Sequence, residues 1–204
     1  MTRAIALALM LGLTALAPRA ADAAEAGDAV FAERGPWDLG DRVLEWALTV
    51  EGPAAEGFRP VPEGRIALSQ GIDPSDQQPV LQLTQKAGPV DRRIGPFPIS
   101  SGDPVLTFFL EQTTRDMAAL TGGSPFYIRN RMKEALFRGG DLARTEDGVT
   151  ASFRPFAEDP NAPRMNGFQS LTLTFVMAEP EAPIRELRAE TAEGATYRNR
   201  MVLQ

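Results

Sequence analysis

The chain contains no histidine and no cysteine, and only two of its basic residues, Lys86 and Lys133, are lysine. Each absence removes chemistry. Without His or Cys there is no Ser-His-Asp or Cys-His nucleophile within the chain. The ligands favoured by zinc, copper and haem are missing too, so no metal and no cofactor is expected. Disulfides are impossible, so the core alone must hold the fold. A lipid anchor on a cysteine is excluded for the same reason. The routes left open to an enzyme are paired carboxylates, a Ser–Lys or Tyr-based site, or a hard cation held by oxygens. No Gly-rich phosphate loop, Gly-x-Ser-x-Gly turn or calcium-loop spacing occurs. Asp73-Pro74-Ser75-Asp76 and Glu158-Asp159-Pro160-Asn161 read as turns.

The N-terminus is the most specific signal. Arg3 precedes an apolar run, Ala4–Ala17, and small residues then lead to Ala21-Asp22-Ala23. A positive start, a short apolar stretch and an Ala-x-Ala site form the layout of a secretory signal peptide, with cleavage expected after Ala23. The run is shorter than the roughly 20 residues a bilayer span requires. No second stretch approaches that length, so the mature chain is expected to be soluble after signal cleavage. The preference for Arg over Lys points to GC-rich coding and, with the signal, to a Gram-negative periplasm. Removing residues 1–23 leaves the chain one unit more negative than the formal −6 of the whole. An acidic chain with dispersed Arg does not provide the clustered positive field that nucleic acid or an anionic bilayer requires.

Ala24–Arg34 has no periodicity and reads as a flexible leader, leaving residues 35–204 as a single domain. In Arg42–Val50, Leu44, Trp46, Leu48 and Val50 alternate with polar or small residues, the period of a half-buried strand. Arg65–Gln70 and Val80–Lys86 read as two further strands. Arg92–Ile94 adds a short one, confined to an edge by Pro89, Pro96 and Pro98. Asp103-Pro104 and Ser124-Pro125 are N-cap and first-position pairs that open two helices. Gly122-Gly123 and Gly139-Gly140 end them. Val149–Pro155, Phe168–Ala178, Pro183–Thr191 and Ala195–Gln204 restore the strand pattern, the last three as an antiparallel meander. The expectation is an α+β fold: a curved antiparallel sheet of about 7–8 strands with a central two-helix hairpin packed on one face. In architecture alone this resembles the periplasmic lipoprotein-carrier type, a half-open sheet with helices as a lid over a hydrophobic cavity.

Candidate ligand-binding residues follow from that picture. Phe108, Phe109, Met117, Phe126 and Met132 lie on the helical hairpin, as does Phe137; such side chains adapt to irregular apolar ligands, although filling the core against the sheet is the simpler reading. Phe108 falls off the main apolar stripe and widens the helix's apolar arc. The tetrapeptide Arg-Asn-Arg-Met occurs at 129–132 and again at 198–201. Arg129, Arg198 and Arg200 are therefore candidate anion contacts, although coincidence and surface ion pairing explain the repeat better, since a helix and a strand cannot present the same surface. The carboxylates Glu45, Glu51, Glu111, Asp116 and Glu134 show no spacing that selects a catalytic pair. The sequence thus points to an exported, non-enzymatic protein that binds or carries an apolar or lipid-like ligand between sheet and helices. A protein–protein module in cell-envelope assembly, with the edge at 89–98 or the C-terminal strand 195–204 adding to a partner's sheet, is the alternative. A carboxylate-based hydrolase comes third.

Overall fold

The structure, a computed structural model, describes residues 20–192 and 196–204. Residues 1–19 of the expected signal peptide lie outside the described residues, as do Glu193 and Gly194 of the turn before the last strand. The described chain forms three α-helices and nine strands, which are β1 (Leu44–Glu51), β2 (Val61–Ile72), β3 (Pro79–Ala87), β4 (Val90–Pro98), β5 (Asp141–Thr145), β6 (Gly148–Phe153), β7 (Thr172–Met177), β8 (Glu186–Glu190) and β9 (Arg198–Leu203). They make one curved, unclosed antiparallel sheet in the order β4-β3-β2-β1-β9-β8-β7-β6-β5. The expected α+β class is thus observed, with more strands than the sequence indicated.

The topology is two meanders joined in the middle. β1 to β4 step outward to one edge, and β5 to β9 start at the other edge and step back inward. The register from Trp46↔Leu203 to Glu51↔Arg198 seals β1 to β9. The C-terminal strand is therefore paired on both sides and cannot extend a partner's sheet, which corrects the expectation placed on residues 195–204. Between the two edges the chain crosses as helices α2 (Pro104–Thr121) and α3 (Pro125–Arg138), which pack on each other.

Local chemistry sets these boundaries. The Asp103 carboxylate accepts the Val105 and Leu106 N–H groups at 2.8 and 3.1 Å, and Pro104 follows it at the first helical position. Gly122 closes α2 in the left-handed region, φ 69°, with its N–H on Ala118 O at 2.9 Å. Only a residue without Cβ adopts that backbone freely. Trp46, Leu48 and Val50 are buried along β1, and the Trp46 indole N–H donates to Ile184 O at 2.8 Å. Phe109 of α2 meets Phe175 of β7 edge-on at 5.9 Å, so the helices fill the sheet's inner face with aromatic contacts.

Three elements depart from the expected pattern. The segment read as a flexible leader carries helix α1 (Ala20–Val30), with Ala26, Ala29 and Val30 buried. It packs against α3, β5 and β6. Small residues make this possible: a Cβ on Gly27 would lie 2.5 Å from Leu136 O, so the two backbones meet directly. An Ala-rich face gives little hydrophobic contrast, which is why no period showed. The cleavage point expected after Ala23 falls inside this helix. β5 carries no strand signal in its sequence, because its side chains are mostly exposed and do not alternate. Phe168–Ser170, read as the start of a strand, is a 3-10 turn before β7.

Arg34 ties these parts together. Its guanidinium donates to the Val30 and Ala29 carbonyls at 2.9 and 3.1 Å, capping the end of α1. It also reaches Ala182 O at 2.9 Å and lies 3.8 Å from the Asp103 carboxylate. Both side chains are almost fully buried. Burial pushes the Asp103 carboxyl up, against the pull of Arg34 and the two helix amides. Removing one partner of such a pair strands a buried charge, at a cost of about 3–5 kcal/mol. Arg34→Met should lower the unfolding free energy in urea by that amount. Arg34→Lys should restore only part of it, because an ammonium cannot serve several carbonyls as a planar fork does. A loss under about 1 kcal/mol for Arg34→Met would show that the pair does not carry this junction.

Candidate functional site

The space left between sheet and helices opens at the β4 edge. Leu83 of β3, Ile94 and Phe97 of β4, and Phe108 of α2 line a cleft of about 220 Å³, with Arg92 and Arg115 at its mouth. β3 and β4 contribute through their inward-facing alternate residues, Leu83 opposite Ile94 and Gln85 opposite Arg92. α2 contributes its first turns, whose position is fixed by the Asp103 cap. The lining is mainly apolar and the volume lies below the roughly 300–1,000 Å³ of drug-sized pockets. It suits one apolar group of a ligand more than a whole lipid.

The candidate residues do not converge on this cleft. Phe108 lines it. Phe109 and Met132 are buried in the packed core. Met117, also buried, borders a second hollow of about 440 Å³ at the hairpin turn, shared with Tyr127, Asn161 and Arg164. Phe126 is 70% exposed on the outer side of α3. Phe137 is likewise exposed and stacks on Phe31 with ring centroids 5.1 Å apart. The repeated Arg-Asn-Arg-Met presents two unrelated surfaces. Arg129 makes a two-pronged contact with Glu111, Nε to Oε2 at 3.0 Å and Nη2 to Oε1 at 2.9 Å. This fork holds the Glu111 carboxyl below the usual carboxylate range. Arg198 and Arg200 lie on the sheet's outer face, donating to Glu190 at 3.3 Å and Glu186 at 2.9 Å.

Two polar clusters were not recognised as such in the sequence. Beneath α2, the Tyr197 hydroxyl donates to Asp116 Oδ2 at 2.9 Å and the Gln112 amide to Oδ1 at 2.8 Å. Beside them Asn199 Nδ2 donates to Thr113 Oγ1 at 3.1 Å. All but Gln112 are buried. Burial pushes the Asp116 carboxyl up from 3.8 to about 6, against the hydrogen bonds from Tyr197 and Gln112. A carboxyl titrating there would suit acid–base work, but Asp116 is only 4% exposed and a substrate cannot reach it. On the far side of the hairpin, Asp159 anchors the 154–170 loop to α3. It accepts Arg131 Nε at 2.7 Å and the Asn161 N–H at 2.8 Å, with the Tyr127 hydroxyl 2.8 Å from both its oxygens. Burial opposes its charge, yet these bonds outweigh burial and hold the carboxyl below its ordinary value. The signal for the first cluster was present: Tyr197 and Asn199 occupy the inward face of an alternating strand, and buried polar groups require partners.

Among the described residues no group of three His, Cys, Asp or Glu side chains is placed to hold a metal ion. The chain matches no protein-family model and no curated protein sequence.

Asp116 generates a pH prediction. Its folded pKa is raised, so its support for the fold is complete below about pH 4 and is lost as pH rises through about 6. Asp116→Asn keeps the shape and removes the titration, with the Gln112 amide free to turn. Compared with this variant, the native protein should lose stability between pH 4 and pH 7, on the order of 3 kcal/mol, in urea unfolding followed across that range. Parallel pH profiles for the two proteins would show that Asp116 is not the titrating group.

Proposed function

We propose that this protein is an exported, non-enzymatic binding protein of the bacterial periplasm. It takes an apolar group of its ligand into the cleft between β3–β4 and α2. One observation carries the reading: Phe108 and Leu83, buried at the margin of the core, back an opening at the sheet edge that the partly buried Ile94 and Phe97 line. Ile94 and Phe97 keep apolar surface exposed at that opening, and burying it against a ligand is favourable. Export is supported by the N-terminal charge, apolar run and Ala-x-Ala site. None of the described helices is long and apolar enough to cross a membrane.

The carboxylates give a hydrolase less support. Glu111 is engaged by Arg129, Asp116 is sealed under α2, and Asp159 is committed to its loop. A module in envelope assembly is favoured by one specific feature, the unpaired outer edge of β4.

The test is a fluorescence titration of the purified protein with a dansylated fatty acid. Saturable, blue-shifted emission is expected. Phe108→Glu should weaken binding by about tenfold or more, equivalent to at least about 1.4 kcal/mol. Phe126→Glu, on an exposed aromatic away from the cleft, should leave it unchanged. Saturable binding that ignores Phe108→Glu, or no saturable binding, would remove the cleft as the ligand site.

A further inference from the structure

β4 is the last strand on its side of the sheet, and its free edge borders the cleft. Gly88 and Pro89 form a two-residue turn, so Ala87↔Val90 is the closing pair of the hairpin. In an antiparallel ladder the backbone groups alternate sides. Val90, Arg92 and Ile94 then bond to β3, and the N–H and C=O of Asp91 and Arg93 point to the open edge. Beyond Ile94 the edge is blocked. Pro96 and Pro98 have no N–H to offer there. An unpaired stretch therefore remains over residues 90–94, beside the apolar lining.

Side-chain alternation joins the two features. Arg92 and Ile94 face inward into the cleft, and Asp91 and Arg93 face outward. A strand laid along this edge sits about 4.8 Å away and sends every second side chain to the same inner face. Its inward residues would enter the cleft mouth. The local charge is opposite to that of the chain as a whole, which is formally −6. The Arg92 Nε donates to Gln85 at 2.7 Å, and no ion pair engages its two terminal nitrogens among the described residues. Arg93 makes no ion pair among the described residues. Arg115 lies 3.4 Å from Glu111, whose carboxylate Arg129 already grips at 2.9 Å. The nearby Asp91 is offset by Lys86 at 3.8 Å.

We propose that edge and cleft form one peptide site. An extended segment of a partner protein adds to β4 as a further strand, seats an apolar side chain on Leu83, Ile94, Phe97 and Phe108, and places acidic side chains against Arg92 and Arg115. This is recognition by strand addition, in which backbone bonds supply affinity and the side-chain pocket supplies specificity. It rests on the proposed function and narrows the ligand class. An acyl chain would use the apolar lining but leave the backbone edge and the three arginines unused.

The experiment is a selection from random linear dodecapeptides displayed on phage, with the native protein as bait and Phe108→Glu as counter-bait. The strongest binder is then synthesised and its affinity measured by fluorescence anisotropy. Enriched peptides should alternate apolar and acidic residues. Binding should fall by about tenfold or more with Arg92→Glu, at an exposed position and with urea unfolding as the control for its fold, and with peptides N-methylated on the pairing side. Hydrogen exchange at Asp91 and Arg93 should slow when peptide is bound. No enrichment over the counter-bait, or binding indifferent to N-methylation and to Arg92→Glu, would overturn the proposal. If the peptides fail while the dansylated fatty acid still distinguishes native protein from Phe108→Glu, the cleft reading stands and the peptide reading alone falls. If both probes fail, both readings fall.

Discussion

The buried contact between Arg34 and Asp103 sets where the helical layer sits. Asp103 does two things with one carboxylate, capping the first turn of α2 and facing the Arg34 guanidinium. Arg34 in turn closes the end of α1 and holds the Ala182 carbonyl. A chain without disulfides must lock its layers by packing and polar contacts. Here a single cation collects carbonyl groups from two segments and a carboxylate from a third. Phe108 lies one turn into the helix that this contact positions, so the cleft's width depends on it.

The sheet explains where a ligand can and cannot go. Its two meanders meet at β1 and β9, so both chain ends of the ordered strands are used up in the centre. The inner face is filled by Trp46, Phe109, Phe153 and Phe175, all buried. The outer face carries ion pairs such as Arg200 with Glu186 and Arg198 with Glu190. An unclosed sheet still has two edges. β5 is short and covered in part by α1, whereas β4 stands beside an apolar opening with arginines around it.

Much of this was legible in the residues. Alternation around Trp46 and Leu173, and the Asp-Pro and Ser-Pro caps with paired glycines, gave most strands and both long helices, because these signals are local and strong. α1 was hidden because Ala and Gly pack by close approach and leave no hydrophobic period. β5 was hidden because an exposed edge strand need not alternate. The site was less legible. Phe108 could be singled out by its position off the stripe, but Phe126 and Met132 share its composition and face opposite surroundings. The repeated arginine motif is a sequence identity without a shared surface, since one copy is helical and the other extended. The pairing of Asp116 with Tyr197 joins residues 81 apart in the chain, and no local pattern reports a contact of that range.

The central claim is that the β4 edge and its cleft receive the ligand in the cell. Hydrogen–deuterium exchange on protein drawn gently from its host tests this directly. Exchange is compared before and after unfolding and refolding to strip what is bound. The account predicts faster exchange after stripping, confined to residues 90–94 and the first turns of α2. No change on stripping, or a change centred on the hairpin turn at residues 121–124, would contradict it.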